Sequence, residues 1–159
     1  MNITVLSVGK LKEAYWKDAL EEYGKRLSRY ARLRFAEVED EKTSEAMTEK
    51  ETAILLKKEG ERILQKVGEK THIIALAIKG KSFSSEEMAE HLGELMSGCH
   101  SDLTFVIGGS LGLSDEVLNR ADEAWSFSEL TFPHQIMRVI LLEQIYRSFR
   151  ILNHEPYHK

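Results

Sequence analysis

The chain has 159 residues, of which 42% are hydrophobic and 30% charged, with a formal net charge of −4. This length suits one domain that buries roughly 68–70% of its unfolded surface, and the composition excludes a strongly basic or disordered chain. The single Cys99 excludes an internal disulfide, while no signal-type start and no apolar run of roughly 18 residues is present. We therefore expect a cytoplasmic protein without a membrane span.

The first strand and helix of the chain are predicted from their apolar spacing. Ile3–Val8 has the pattern of a strand, and Gly9 ends it. From Leu11 to about Arg32, aromatic and aliphatic residues recur at spacings of four, three, four and three, which predicts a helix that packs one face on a sheet. The residues of this stripe are Trp16, Leu20, Tyr23, Leu27 and Tyr30.

The other face of this helix is basic, although the whole protein is acidic. The stretch from Lys10 to Arg34 contains eight Lys or Arg residues against four Asp or Glu. Such a face is either a solvated surface or a surface that binds phosphate groups, and both interpretations remain open. If this face binds RNA, the residues expected to contact the phosphates are Lys17, Lys25, Arg26, Arg29 and Arg32.

A second strand and a second helix follow. Leu33–Val38 is predicted as a strand, and the acidic stretch Glu37–Glu51 suits a solvated loop and the beginning of a helix. That helix is expected to run to about Val67 and to stop at Gly68. Its predicted core positions are Ile54, Leu55, Ile63 and Val67.

The stretch Thr71–Ile78 is nearly continuously apolar, which is typical of a parallel strand covered on both faces. Lys79–Ser82 resembles the end of a phosphate-binding P-loop, but that motif needs a glycine where this chain has Ala75. A capping box at Ser84–Glu87 also begins the next helix, which runs to about Ser97, later than a P-loop would. We therefore reject the P-loop.

A glycine-rich turn follows the next strand. Leu103–Ile107 runs into Gly108–Gly112, then a short helical pattern and a strand signal at Trp125–Phe127. The glycines either let a ligand approach the backbone at the strand ends or simply make two tight turns. The glycines occupy positions one, two and five after the strand, whereas a dinucleotide fingerprint has glycines at positions one, three and six. We therefore expect a nucleotide cofactor that is bound in another arrangement. The alternation of strands and helices predicts an α/β fold with a mostly parallel sheet covered on both faces.

The helix from His134 to about Leu152 is apolar on more than one face, which favours burial against a second subunit as well as the sheet. Arg138 and Arg147 either form ion pairs with Glu143 or bind a ligand. The tail Asn153–Lys159 carries two His, a Tyr and a Lys around Pro156; tails usually fray, but this composition suggests a function. The apolar residues of the helix are Ile136, Val139, Ile140, Leu141, Leu142, Ile145 and Phe149.

Four motifs resemble the RlmH family, large-subunit rRNA methyltransferases of the SPOUT class. They are FVIGGSLG after the apolar strand, the loop FSELTFPHQ, the helix RVILLEQIYRSFRILNHEPYH, and the Pro-Tyr-His-basic ending. The resemblance covers residues 1–159 as one methyltransferase domain and implies an α/β knot, with a deep trefoil knot near the C-terminus. It also implies a homodimer, S-adenosylmethionine as methyl donor, no metal, and methylation of N3 of a pseudouridine in 23S rRNA of the assembled ribosome.

The resemblance also implies a set of functional residues. It places the cofactor at Leu76, Gly108, Phe127, Ser128, Glu129, Leu130, Thr131 and Phe132. As hypotheses, His158 acts as base, Tyr157 contacts the target base, and Arg138 and Arg147 hold phosphate or an anionic carbonyl. Because a 19-residue helix spans roughly 28 Å, we expect the tail to reach the partner's pocket rather than its own. A non-catalytic RNA-binding protein and a small-molecule methyltransferase are the alternatives.

Overall fold

A computed structural model of the protein describes residues 1–98 and 100–159, so the expectation for Cys99 lies outside the described residues. In this part of the chain, five strands alternate with five helices. The strands are β1 (Asn2–Val8), β2 (Arg32–Val38), β3 (His72–Ser82), β4 (Asp102–Ile107) and β5 (Glu123–Ser126). The helices are α1 (Ala14–Leu27), α2 (Glu49–Lys66), α3 (Ser85–Ser97), α4 (Asp115–Arg120) and α5 (His134–Leu152).

The strands form one sheet in the order β2-β1-β4-β3-β5, and their pairings are parallel. Side chains of each strand alternate between two apolar layers. Ile3 and Val5 join the core under α1, α3 and α5, whereas Leu6 and Val8 join the core under α2 and α4. The predicted parallel sheet with helices on both faces is confirmed.

Several element boundaries follow from local chemistry. The predicted capping box at the start of α3 is confirmed, because Ser84 Oγ accepts from the Glu87 N–H and the Glu87 carboxylate accepts from the Ser84 N–H. The helix α5 begins and ends where the sequence predicts. The helix α1 is shorter than predicted. The core prediction for Ile54 is wrong, since its side chain is 49% exposed while the next residue, Leu55, is buried.

The end of β3 bends over β5. Trp125 is paired with both Leu76 and Lys81, so the segment between those two residues bulges out of the ladder. Gly80 lies in this bulge, where a Cβ atom would meet the backbone carbonyl carbons of Trp125 and Ala124 at 2.6 and 2.7 Å. Close contact between two backbones therefore requires glycine here. The trefoil knot stays a prediction.

None of the helices in residues 1–98 and 100–159 is both long enough and apolar enough to cross a membrane. The helices instead pack in pairs on the sheet, α1 and α3 against α5 on one face and α2 against α4 on the other. This arrangement leaves the carboxyl ends of the parallel strands open at one edge, where α/β proteins bind ligands.

Gly80→Ala tests the bulge. Because its Cβ has no space between two backbone segments, we expect the free energy of unfolding to fall by about 1–3 kcal/mol. Gly68→Ala is the matched control, since its Cβ meets only the Thr71 methyl group at 4.0 Å. We expect that control to remain within about 1 kcal/mol of wild type. Urea unfolding measures both, and equal stabilities would contradict the backbone contact at Gly80.

Candidate functional site

A cavity of about 620 Å³ opens at the carboxyl ends of β3, β4 and β5, and we call it the strand-end cavity. Its lining comes from the bulged part of β3, the glycine loop Gly108–Gly112, the loop after β5, and the first turn of α5. Seven of the eight predicted cofactor residues line it, and Glu129 does not. These seven are Leu76, Gly108, Phe127, Ser128, Leu130, Thr131 and Phe132.

The glycine loop depends on its own close packing. A Cβ on Gly108 would lie 2.6 Å from the carbonyl carbon of Gly112 and would also collide with its oxygen. The Gly112 N–H donates to the Gly109 carbonyl at 3.2 Å, and Gly112 has a φ of +85°, a conformation that favours glycine. The glycine at 108 is therefore required by the loop itself, before any ligand approaches.

Apolar side chains surround the mouth of the strand-end cavity. Leu130, Ile78 and Leu111 are 69%, 50% and 41% exposed, respectively. Ser128 shapes the loop after β5, because its Oγ accepts from the Leu130 N–H at 3.0 Å. Exposed apolar groups around a concave site indicate that a ligand or another protein surface covers them. Polar side chains are few in the lining: Lys79, Ser110, Ser128, Thr131 and His134.

A buried carboxyl group lies beneath the glycine loop. Glu59 of α2 is 4% exposed, and a Cβ on Gly109 would lie 3.4 Å from its Oε2. Its Oε1 accepts from the Glu41 N–H at 2.9 Å. Burial is the main cause of a raised pKa of the Glu59 carboxyl, because the charged form loses its hydration. A buried carboxyl group with a raised pKa therefore lies directly against the glycine loop.

The structure does not place Arg138 where a substrate could contact it. Its side chain is 1% exposed, with Nη1 donating to Glu37 Oε1 and Nη2 donating to the Gly9 carbonyl, both at 2.6 Å. In the single chain, this burial leaves the guanidinium no surface on which to bind phosphate or substrate. Arg138 also pairs with Glu37, not with Glu143.

His134 is a candidate site residue that the sequence did not reveal, although it directly follows Pro133 in the FSELTFPHQ loop. It is half-buried, and its Nδ1 lies 3.2 Å from Arg138 Nη2. Burial, followed by the nearby Arg138 charge, lowers the pKa of His134. His134 lines the strand-end cavity and also a second cavity of about 390 Å³ at the ends of β1 and β2.

The other three predicted catalytic residues lie together on the tail and the last turns of α5. Arg147 lies 4.7 Å from the Tyr157 ring centroid, and its Nη1 lies 3.3 Å from His158 Nδ1. The Tyr157 hydroxyl donates to Glu143 at 3.2 Å, and His158 Nε2 donates to Glu86 at 2.8 Å. Burial and then the Glu143 charge raise the pKa of Tyr157.

This tail cluster is separate from the strand-end cavity. Met137 lines the cavity, and Arg147 lies ten residues later, roughly 15 Å along the helix axis. Among the described residues that line the cavity, none belongs to Asn153–Lys159. Within one chain, the predicted cofactor residues therefore lie apart from the three predicted catalytic residues of this cluster.

The basic face of α1 is partly neutralised. Lys25 pairs with Glu21 at 2.9 Å and Arg26 pairs with Glu22 at 2.8 Å, each one helical turn apart. This favours the solvated interpretation for these two residues. Within residues 1–98 and 100–159, no group of three or more His, Cys, Asp or Glu side chains is arranged to hold a metal ion.

Comparison with known proteins identifies the family. The family model for the predicted SPOUT methyltransferases matches residues 1–158. The chain belongs to the SPOUT methyltransferase family. Two relatives, each 55% identical over 159 residues and the full length of both chains, are the ribosomal RNA large subunit methyltransferases H of an Exiguobacterium species and of Clostridioides difficile. The family resemblance drawn from the sequence motifs is confirmed.

A solved structure with a similar fold is a probable methylase family protein from Haemophilus influenzae. It has a TM-score of 0.50 and 11% sequence identity, and the match covers 96% of this chain and 66% of that chain. At this identity the likeness supports the fold alone. It agrees with the parallel five-stranded sheet in the described part of this SPOUT methyltransferase.

Glu59→Gln tests the buried carboxyl beneath the loop. A folded-state pKa above the unfolded value means that the folded protein binds more protons, so this group's contribution to stability falls as pH rises above about 4.5. Glutamine removes the titration but keeps an acceptor for the Glu41 N–H. We therefore expect the stability of Glu59→Gln relative to wild type to increase from pH 5 to pH 8.

The exposed neighbour Glu61 provides the control. Glu61→Gln removes the same charge from an exposed position of the same helix. The difference between its free energy of unfolding and that of wild type should therefore not change between pH 5 and pH 8. Urea unfolding at several pH values measures both. Parallel curves for Glu59→Gln and wild type would show that Glu59 does not titrate abnormally.

Proposed function

We propose that the protein is an S-adenosylmethionine-dependent rRNA methyltransferase that acts as a homodimer in the cytoplasm. Its substrate is N3 of a pseudouridine in 23S rRNA of the assembled ribosome, and one domain over residues 1–159 performs the reaction. The observation that carries this proposal is the strand-end cavity, which gathers seven residues expected at the cofactor in a member of this family. The full-length relatives named as rRNA methyltransferases support the substrate class.

The strand-end cavity fits the proposed methyl donor. Its volume of about 620 Å³ is within the range of roughly 300–1,000 Å³ that small-molecule sites occupy. Leu76, Leu130 and Phe132 offer apolar surfaces for an adenine ring, and the glycine loop offers backbone groups for the polar atoms. When bound, S-adenosylmethionine supplies an electrophilic methyl group. The protein must hold that methyl group about 3–3.5 Å from the acceptor nitrogen.

The acceptor nitrogen must also lose a proton, because a protonated imide is a poor nucleophile. In the single chain, His158 is not free to accept one. Its Nδ1 accepts a hydrogen bond from Arg147, because a guanidinium can only donate, and its Nε2 donates to Glu86. The tail must therefore leave this arrangement before His158 acts as a base. We propose that it does so at the cavity of the partner subunit.

Dimerisation supplies the partner. Ile136, Val139 and Ile140 of α5 are only partly buried in the single chain, and the strongly exposed Leu130 lies on the nearby loop. A standard interface of ~1,200–2,000 Å² over these residues would cover this apolar surface. It would also place the C-terminal end of one α5 near the strand-end cavity of the other when the two helices run antiparallel.

The experiment that tests the function measures transfer of a labelled methyl group. We expect transfer from S-adenosylmethionine to ribosomes that lack the modification, with the label at N3 of a pseudouridine. Phe132→Ala should weaken donor binding at least about tenfold in calorimetry, because it removes a large apolar surface from the cavity. Phe35→Ala is the control, since Phe35 is 46% exposed on β2, away from the strand-end cavity.

Each alternative gives a different result. A non-catalytic RNA-binding protein would bind ribosomes without transferring label, and a small-molecule methyltransferase would label extract metabolites but not rRNA. Transfer to free 23S rRNA as fast as to ribosomes would remove the requirement for the assembled particle. Unchanged donor affinity in a folded Phe132→Ala variant would show that the donor binds elsewhere.

A second prediction concerns the tail in the dimer. Deleting Pro156–Lys159 should leave the dimer and donor binding nearly intact but abolish methyl transfer, because Tyr157 and His158 are lost. Mixing this deletion with Phe132→Ala at low donor concentration should restore part of the activity. The mixed dimer has one site with an intact cavity from one subunit and an intact tail from the other.

Sedimentation first establishes the dimer, and exchange of differently labelled subunits establishes mixing. Exchange without recovery of activity would show that the tail does not act on the partner's cavity. A deletion variant with full activity would remove Tyr157 and His158 from the reaction. The two results separate the position of the tail from its chemistry.

A further inference from the structure

A second cavity lies beside the strand-end cavity, and we call it the Gly9 cavity. It is lined by Gly9, Lys10, Lys12, Glu13, Glu39, Asp40, His134 and Gln135. Its residues follow the ends of β1 and β2, whereas the glycine loop follows β4. Because β1 and β4 are neighbours in the sheet, the two cavities lie over adjacent strand ends. His134 lines both of them.

The orientation of His134 is fixed by its neighbours. Nδ1 lies 3.2 Å from Arg138 Nη2, and because a guanidinium only donates, Nδ1 must accept. The other ring nitrogen lies over the end of β1, since a Cβ on Gly9 would be 2.9 Å from Nε2. Gly9 also has a φ of +91°. This glycine therefore provides the space in which the imidazole lies.

The protonation of His134 follows from this geometry. Burial and the Arg138 charge lower the pKa of the ring, so it is neutral near pH 7 and carries its single proton on Nε2. Glu37, Glu13 and Asp40 act against this shift, but the net direction is downward. His134 is therefore a hydrogen-bond donor at the boundary of the two cavities, not a base.

The remaining groups of the Gly9 cavity suit a ribonucleotide. The carboxylates of Glu39 and Asp40 can accept from ribose hydroxyls, the interaction by which acidic residues bind ribose in dinucleotide sites. Lys10 and Lys12 provide positive charge for flanking phosphates. Lys10 is only loosely paired with Glu39, at 4.0 Å between strongly exposed side chains, so water and phosphate can replace that contact.

We propose that the Gly9 cavity binds the nucleotide that accepts the methyl group, with its base directed toward His134. This proposal rests on the proposed function and adds the acceptor subsite to it. In the reaction the N3–H bond breaks and its proton passes to a base or water. The nitrogen's electron pair forms the N–CH₃ bond, while the S–CH₃ bond breaks and its electron pair stays on sulfur.

His134 has a specific task in that step. As the N3 proton leaves, negative charge develops on the carbonyl oxygens beside the nitrogen. A neutral imidazole N–H is suited to stabilise this charge, as a neutral histidine does for an enolate-like oxygen in other enzymes. Arg138 acts through His134, because its Nη2 donates a hydrogen bond to Nδ1 and so keeps the ring proton on Nε2.

Two substitutions test this task in the full-length protein. His134→Gln places an amide N–H close to the position of Nε2, whereas His134→Leu has no donor. We expect the leucine variant to lose about 10²–10³-fold in the rate of methyl transfer to ribosomes at saturating donor, the range for one lost oxyanion donor. The glutamine variant should retain at least tenfold more activity than leucine. Calorimetric donor affinity should change less than about threefold in both, a difference of under 1 kcal/mol.

A binding measurement without the methyl donor tests the subsite itself. We expect pseudouridine 3′,5′-bisphosphate to shift the backbone amide NMR signals of Gly9 and Gln135 saturably, and those of Leu130 much less. The double variant Lys10→Ala/Lys12→Ala should weaken this binding and flatten its salt dependence. The control Lys57→Ala/Lys58→Ala removes the same charge from exposed positions of α2 and should bind as wild type does.

Several results would overturn the acceptor subsite while leaving the proposed function intact. One is wild-type turnover by folded His134→Leu. Another is a loss of donor affinity that matches its loss of activity, which would assign His134 to the donor alone. A third is nucleotide-induced shifts at Leu130 rather than at Gly9. If the wild-type protein transfers no methyl group to rRNA, the proposed function fails, and the nucleotide titration still decides whether the cavity binds a ribonucleotide.

Discussion

The buried guanidinium of Arg138 fixes the edge of the molecule on which the candidate site is built. It is 1% exposed and donates to Glu37 at the end of β2 and to the Gly9 carbonyl at the end of β1, each at 2.6 Å. Separating a buried charge from its partners costs several kcal/mol, so α5 has little freedom to move relative to these strand ends. His134 lies one turn earlier on the same helix, so the same contacts hold it in place. The boundary between the two cavities is thus set by a side chain that is itself almost fully buried.

The glycine loop is constrained from the other face of the sheet. Glu59 lies against Gly109, and the adjacent Gly60 allows α2 to approach the cap of α4, where a Cβ would lie 3.2 Å from the Ser114 Cβ. Ser114 in turn accepts from the Val117 N–H at the start of α4. The loop therefore rests on close approaches between α2 and α4 and has little room to adjust. A cavity formed in this way is largely organised before a ligand arrives, which reduces the ordering cost of binding.

The sequence predicted those features that depend on local pattern. The bounds of α5 and the capping box of α3 follow from apolar spacing and from Ser84 and Glu87, which act within a few residues.

Features set by distant partners were missed. Arg138 lies 101 residues from Glu37, so no local pattern indicates that it is buried rather than free to bind phosphate. The predicted α1 began too early, and in the structure the Leu11 N–H instead donates to Glu37 at 3.3 Å. The proposed cofactor residues could be named only through the family motifs. The place of His134 could not be predicted, because it depends on the packing of α5 against the end of β1.

The separation of the cavities from the tail has a consequence for a chain of this size. Both cavities lie at the first turn of α5, and the tail cluster around Arg147 lies near its end, roughly 15 Å away. One subunit of 159 residues therefore has its two cavities at one end of this helix and Tyr157 and His158 at the other. In the proposed homodimer, two antiparallel subunits would combine them into complete sites, and catalysis would then depend on assembly. In the single chain, both ring nitrogens of His158 are already hydrogen-bonded, one to Arg147 and the other to Glu86. In the proposed dimer, the tail would exchange these two contacts for contacts at the partner's cavity.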